Sequence, residues 1–280
     1  MDRPARQTGM SATGPVISGT TRLFAVIGDP VAQVQAPAML NPLFTRLGAD
    51  AVLVPVHARP DDLADVVRGL KRVRNLDGLL ITVPHKAACL AFADDISPAA
   101  ALSGSTNAMR RTPEGRWQAE NFDGAGFVRG LRVAGHDPRG RRVSLAGAGG
   151  AGCAIAVALV GAGAHVTVWD TEQDRVERLV RRLAGYGSGR IAGARAPVPA
   201  DIAVNATPMG LRPQDPLAFD PAALDPGTVV ADIIMKPRRT ALIEAAEARG
   251  LRVHYGAPML AQQLDLYREF FRLDERADCP

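Results

Sequence analysis

"LAGAGGAGCAIAVALV", residues 145–160, decides how this chain folds. The strand-like "RRVSLA" runs straight into Gly147-x-Gly149-x-x-Gly152, and the glycines run into small apolar residues of helix length. A strand that passes through glycines into a helix lets the backbone approach a phosphate, and the helix N-terminus supplies free N–H groups and partial positive charge. The glycine pattern alone is common. What sharpens it is Asp170, which closes the next strand, "HVTVWD", eighteen residues after Gly152. There a dinucleotide-binding fold places the acid that takes the ribose hydroxyls. Gly147, Ala148, Gly149, Gly150, Ala151 and Asp170 are therefore expected to hold a dinucleotide; the plainer alternative is a glycine-rich turn with Asp170 as a helix cap.

Working outward, Val143 to Trp169 contains no Asp, Glu, Lys or Arg. It resembles a membrane span until the glycines at 147, 149, 150, 152, 161 and 163 break it into strand, loop, helix and strand. Neither a membrane nor a nucleic acid is expected as a partner. The net charge of +4 rests on thirty arginines and three lysines, Lys71, Lys86 and Lys236, and the arginines are scattered over helices without interleaved aromatics. The cysteines, Cys89, Cys153 and Cys279, lie far apart with no CxxC pair, which fits a reducing cytoplasm and gives no metal-ligand spacing. Five scattered histidines add none. The first twenty residues have no apolar h-region and are expected to form a loose tail.

Apolar runs of strand length alternate with amphipathic runs of helix length, the pattern of an α/β fold with a largely parallel sheet. "RLFAVIG", "AVLVPVH" and "GLLITVP" are expected strands, with helices over "PAMLNPLFTRLG" and "DDLADVVRGLKRV" and a short one from about Lys86. Two short strands flank a Pro-Glu-Gly turn in "STNAMRRTPEGRWQAEN", and "FDGAGFVRGLRVAG" is a helix ending on glycine. A second series follows from "RRVSLAGAGG" through "DIAVNAT" and "TVVADII", and the C-terminal "PMLAQQLDLYREFFRL" is expected to be one helix. At 280 residues two domains are expected: 21–123 completed by 256–280, and a Rossmann-type domain over 124–255, with a cleft between them.

Ahead of the glycine loop stand "ITVPHK", "SGSTNAM" and "AENFDGAGF"; after it come "VNATPMGL", "ADIIMKP" and "GAPMLAQQ". In this order, and with a Gly-Asp-Pro turn near the start, the chain resembles the shikimate and quinate dehydrogenase family over nearly its whole length from Thr21. The resemblance implies a nicotinamide-dependent oxidoreductase serving aromatic amino acid biosynthesis or quinate metabolism, acting on a cyclic hydroxy acid, and compatible with a homodimer. It further implies Lys86 and Asp123 as the catalytic pair and Thr82, Asn107 and Gln263 as substrate ligands. Around the dinucleotide it adds Thr171, Thr207, Ile233, Gly256 and Met259. The chemistry is sensible on its own terms: as hydride leaves a secondary alcohol, its O–H proton needs a positioned acceptor. Asp170 stands where NADP users of the family carry Asn, and Thr171 where they carry Arg, so NAD is expected over NADP.

"VIGDPVAQVQAPAML", residues 26–40, departs from the family. Two serines that hold the substrate carboxylate there are replaced by Val34 and Ala36, between and beside Gln33 and Gln35. Met235 stands for a tyrosine, Leu80 for an asparagine and Phe122 for a threonine. A hydrogen bond to a charged group contributes roughly 1.5 to 3 kcal/mol, so losing two weakens carboxylate binding by about 3 to 6 kcal/mol unless Gln33 or Gln35 takes over. An altered substrate, either another ring acid or a neutral cyclic alcohol, is the expectation. An ordinary shikimate or quinate dehydrogenase is the alternative, and a sensor that binds dinucleotide and ring acid without turnover is the alternative of another class.

Overall fold

The computed structural model describes residues 17–274. The first sheet collects β1 (Arg22–Gly28), β2 (Ala51–His57), β3 (Leu76–Ile81), β4 (Asp95–Ile96), β5 (Ala108–Arg111) and β6 (Trp117–Glu120) in the order β2-β1-β3-β5-β6-β4. Strands β1, β2 and β3 are parallel, but β5 runs antiparallel to both β3 and β6. The sheet is thus mixed rather than largely parallel. The Pro-Glu-Gly turn is the cause, because so short a link can join only antiparallel neighbours. One consequence matters for function: residues just before β5 lie at the same sheet edge as residues just after β3.

Around this sheet lie α1 (Ala36–Leu47), α2 (Leu63–Leu70) and α3 (Pro98–Ser103). Helix α1 stops at Gly48, whose φ of +65° closes the C-terminus cheaply. Helix α3 starts on Ser97, whose hydroxyl accepts the Ala100 N–H at 3.1 Å. The helix expected from about Lys86 is a 3-10 segment, Ala88–Phe92. The tail expected over 1–20 lies outside the described residues up to position 16. Its last part is tied down, with Thr20 donating to Asp50 at 2.8 Å.

After α4 (Asp123–Val133) comes the second sheet: β7 (Arg142–Ala146), β8 (His165–Trp169), β9 (Arg190–Gly193), β10 (Ile202–Asn205), β11 (Val229–Asp232) and β12 (Arg252–His254). All its pairings are parallel, in the order β12-β11-β10-β7-β8-β9. Counted from β7 this is the doubly wound order 3-2-1-4-5-6, with its crevice where the order reverses between β7 and β10. Helix α5 (Gly150–Gly161) is buried along most of its length, which is why its sequence carries no charge. Helix α6 (Gln173–Leu183) buries only Val176, Leu179 and Leu183 and turns its arginines outward. Helix α7 (Ala241–Ala248) is capped by Thr240, whose hydroxyl also donates to Asp232 at 2.7 Å.

The C-terminal segment is two helices, α8 (Ala257–Ala261) and α9 (Gln263–Phe270), meeting at Gln262. The break lets one segment serve both sheets. Met259 of α8 packs with Phe127 and Val128 under the second sheet, whereas Tyr267 and Phe271 join Phe24, Leu40 and Phe44 of the first. Phe271 is 4% exposed, with Phe24 edge-on at 5.2 Å, and Gly78 leaves it room, since a Cβ there would stand 2.5 Å from its ring. Truncating such a phenylalanine costs about 3 to 5 kcal/mol.

Candidate active site

A cleft of about 410 Å³ opens between the two sheets, at the C-terminal ends of β1 and β3. Its chemistry comes from four places in the chain. Thr82 and Lys86 follow β3, Asn107 precedes the antiparallel β5, Asp123 opens α4, and Gln263 opens α9. Gln33 and Gln35 line the same space from the loop between β1 and α1. The structure thus brings together every residue expected to be catalytic or to bind substrate.

Lys86 Nζ pairs with Asp123 Oδ2, and the pair is shielded, with side-chain exposures of 19% and 6%. Asp123 Oδ1 accepts from Asn107 Nδ2 at 2.9 Å, with Gln263 Nε2 3.4 Å away. Such a carboxylate, donated to from three sides, holds the lysine in place, so either partner can exchange a proton with an alcohol oxygen lying between Lys86 and Asn107. His85 takes no part: it is buried and bonded through Nε2 to the Ala58 carbonyl at 2.7 Å.

The loop after β1 is shaped by close backbone approach. A Cβ on Gly28 would stand 2.4 Å from the Thr82 methyl, so only glycine lets the turn lie against the segment after β3. Gln33 Nε2 donates to the Pro30 carbonyl at 2.8 Å, and Gln35 Nε2 to the Gln33 carbonyl at 2.9 Å. Each glutamine therefore spends an amide donor on pinning its own loop. Across the cleft stand Leu211, Met235 and Lys236 of the second sheet's side, and Leu80 lies on the floor. The wall around Val34 and Ala36 offers a carboxylate no charged donor.

The glycine loop fits a dinucleotide. A Cβ on Gly152 would meet the Gly147 carbonyl at 2.0 Å and one on Gly147 the Ala206 carbonyl at 2.8 Å, whereas Gly149 and Gly150 have nothing within 4 Å. The inner glycines are compelled by packing and the outer ones leave the N-terminus of α5 open to a pyrophosphate. Asp170 accepts the Ala148 N–H at 2.7 Å and the Glu172 N–H at 2.9 Å. Burial opposes its ionisation, but these hydrogen bonds prevail and hold its carboxyl below the usual range. Asp170 thus ties the glycine loop to the turn before α6, whose N-cap is Glu172 rather than Asp170. Thr171 donates to Asp170 at 3.3 Å. Thr207 donates to Asn205 at 2.7 Å, and Gly256 abuts the Ile233 and Ile234 carbonyls, where a Cβ would stand 2.5 Å from each. Met259 points into the core, and Leu260 is the α8 residue that lines the cleft.

Sequence reasoning missed three features. Tyr267 reaches the cleft from α9, one helical turn beyond Gln263, a spacing that could have flagged it. Lys236 lines the far wall. Arg175, Arg178 and Arg182 of α6 border a second hollow of about 360 Å³ beside Ala148, Gly149 and Gly150. Periodicity puts these arginines on a solvated face, and only the packing of α6 over β8 and β9 and against α3 brings them beside the glycine loop.

Residues 26–109 match the family model of the shikimate dehydrogenase substrate binding domain. A curated shikimate dehydrogenase (NADP(+)) of Rubrobacter xylanophilus is 40% identical over 257 residues, covering 89% of this chain and 90% of the relative. The chain belongs to the shikimate dehydrogenase family. Among solved structures, the shikimate 5-dehydrogenase of Listeria monocytogenes, in complex with shikimate and NAD, matches with a TM-score of 0.81 at 28% identity over 92% of each chain. The 5-ketofructose reductase of a Gluconobacter strain, in its ligand-free form, matches with 0.80 at 31% identity, over 90% of this chain and 92% of that one. The shikimate dehydrogenase architecture, a substrate domain facing a Rossmann-type domain, is the one observed here.

Proposed function

We propose that this chain turns over a cyclic secondary alcohol or its ketone that lacks a carboxylate where shikimate carries one. It is an NAD(P)-dependent dehydrogenase acting on a CH–OH group, as membership of the family implies. The observation that carries the proposal is the loop after β1: Val34 and Ala36 line the cleft where hydroxyls are expected, and Gln33 and Gln35 are engaged with Pro30 and Gln33 carbonyls. The likeness to a 5-ketofructose reductase supports an uncharged, hydroxyl-rich substrate. In this reading Thr82, Asn107 and Gln263 bind substrate hydroxyls, and the Lys86–Asp123 pair moves the proton. The nicotinamide, when bound, accepts or supplies the hydride.

We assign the domains as 21–123 with 256–280, and 124–255, and the dinucleotide to the loop Gly147–Ala151 with Asp170, Thr171, Thr207, Ile233 and Gly256; Met259, expected among them, is instead buried in the core under the second sheet. NAD is favoured over NADP by the carboxylate of Asp170, although the Rubrobacter relative bears an NADP name and Arg175 stands nearby. We place the enzyme in the cytoplasm on its cysteine usage, three cysteines far apart with no CxxC pair; separately, no helix among the described residues is long and apolar enough to cross a membrane.

A second reading, an ordinary shikimate or quinate dehydrogenase, is favoured by Lys236, a cation on the opposite wall that could hold a ring carboxylate. The test is a panel of shikimate, quinate, neutral cyclitols and keto sugars, each with NAD(H) and NADP(H), read by absorbance of the reduced nicotinamide. Preference for neutral substrates is expected. Shikimate turnover that exceeds all others and collapses on Lys236→Ala would establish the second reading instead.

A further inference from the structure

A directed chain of hydrogen bonds runs around the cleft. The Phe122 backbone N–H donates to Asn107 Oδ1 at 2.9 Å, which fixes that amide with its nitrogen inward. Asn107 Nδ2 donates to Asp123 Oδ1 at 2.9 Å and to the Tyr267 hydroxyl oxygen at 3.2 Å. Having accepted there, Tyr267 gives its one proton to Gln263 Oε1 at 2.5 Å. That turns Gln263 Nε2 towards Asp123. An amide has nearly the same shape in either orientation, so its hydrogen-bond partners decide which end faces where. For Gln263 two donors meet the carbonyl oxygen, Tyr267 at 2.5 Å and Asn107 Nδ2 at 3.4 Å, and the shorter, stronger one is Tyr267.

We propose that Tyr267 is a positioning residue for the reaction: its hydroxyl locks Gln263 so that an amide N–H, never the carbonyl oxygen, faces Asp123 and the substrate. The inference rests on the reading that Lys86 and Asp123 carry the proton transfer. Tyr267 is suited to the task because it is 4% exposed and cannot swing away. Phe122 stands edge-on to its ring at 5.5 Å and Phe271 is stacked at 6.0 Å. Burial, and then the charge of Asp123, push its pKa well above the usual 10, so it remains a donor at every working pH. Without the hydroxyl, Gln263 can turn its oxygen on Asp123, acceptor against acceptor, and the carboxylate then takes up a proton more readily. The charged or titratable groups around Asp123 among the described residues are Lys86 after β3, Tyr267 on α9 and Lys236 across the cleft.

The experiment compares wild type, Tyr267→Phe, Gln263→Met and the double variant as full chains. It reads kcat and KM on the best substrate of the panel, the pH dependence of turnover, and the Gln263 side-chain amide protons by NMR, assigned by their loss in Gln263→Met. Tyr267→Phe keeps the packed ring. It is expected to lower kcat about tenfold, to move the acid limb of the pH profile upward, and to speed exchange of the Gln263 amide protons. The double variant should be no worse than Gln263→Met alone. Unchanged amide protons and an unmoved acid limb in Tyr267→Phe, or fully additive losses, would overturn the proposal. The NMR comparison needs no turnover, so it decides the role of Tyr267 even if the panel refutes the functional reading. Should Tyr267→Phe not fold, Gln263→Glu serves in its place: its carboxylate accepts from Tyr267 but cannot donate to Asp123. A comparable loss is then expected, and full activity would refute the proposal.

Discussion

If the proposed reading holds and the cleft leaves a carboxylate unheld, replacing Val34 and Ala36 together by serine should improve turnover of shikimate. Both side chains line the cleft, and a serine hydroxyl at each position can donate to a carboxylate lying over the N-terminal end of α1. Two such bonds contribute about 3 to 6 kcal/mol at most. Two opposing effects reduce this. Val34 packs against the core around Phe24 and Phe44, so its loss costs about 1 kcal/mol of local order. Gln33 and Gln35 keep their loop bonds and stay beside the new hydroxyls. A net gain of roughly 1.5 to 3 kcal/mol corresponds to about a tenfold to hundredfold lower KM for shikimate. The effect should fall on KM rather than kcat, because the carboxylate is remote from the reacting carbon and is held alike in ground and transition states. The assay is steady-state formation of reduced nicotinamide with shikimate and quinate, for wild type and the double variant. Robust wild-type turnover of shikimate that Gln33→Ala or Gln35→Ala abolishes would refute the reasoning, since the glutamines would then have taken over the serines' task.

Lys86→Ala and Asp123→Asn should each lower turnover by roughly 10² to 10⁴ while leaving dinucleotide affinity, measured by calorimetry, close to wild type; near-normal turnover by both would show the chemistry lies elsewhere. NAD should bind more tightly than NADP, because a 2′-phosphate about 4 Å from Asp170 meets a repulsion of roughly 4 kcal/mol at an effective dielectric near 20, before salt screening. Equal or tighter NADP binding would mean that Arg175, Arg178 and Arg182 outweigh it. His254 is buried with Nε2 unpartnered, and burial, then the charge of His136, lowers its pKa from 6.5 to about 4. The unfolded chain therefore takes up a proton first as pH falls, and stability present above about 6.5 is lost on the way to about 4. The loss is of order 3 kcal/mol. Thermal melts from pH 7 to 4.5 should show this decline, flattened in His254→Leu; an identical decline in the variant would exonerate His254.

Legibility in the sequence followed the range of the physics. The strands "RLFAVIG" and "AVLVPVH" are β1 and β2 residue for residue, because apolar β-branched runs between turn signals determine themselves locally. The glycine loop is legible for a similar reason: Gly152 answers to the Gly147 carbonyl within one strand-loop-helix unit, whereas Gly147 itself is crowded by Ala206 after β10, a contact the fold supplies. The antiparallel pairing of β5 with β6 is legible in the Pro-Glu-Gly turn, whereas the pairing of β5 with β3 joins segments far apart in sequence and depends on the fold. The short strands β4, β9 and β12 have too few residues to show a period. The break at Gln262 was invisible, since nothing local stops a helix there; the two ends part because they pack on different sheets. The glutamines were legible as substitutions but not as loop pins, which depends on carbonyls fixed by the fold.

The departures from the family divide into two kinds once the packing is known. Val34 and Ala36 on the loop after β1, Leu80 on the floor and Met235 across the cleft all line it, so on the proposed reading four replaced polar positions leave its lining less suited to a carboxylate. Phe122 is different. It is not among the residues that line the cleft and packs edge-on against Tyr267 at 5.5 Å and Phe270 at 5.3 Å, contacts that a threonine in its place could not make. Its backbone N–H meanwhile orients Asn107. Phe122 therefore belongs with Tyr267, as support for the residues that hold Asp123, and restoring threonine there should loosen Gln263 rather than readmit shikimate. On the proposed reading the cleft lining can vary without disturbing the Lys86–Asp123 pair, because that pair is held from the other side, by Asn107, Gln263 and the aromatic cluster behind them.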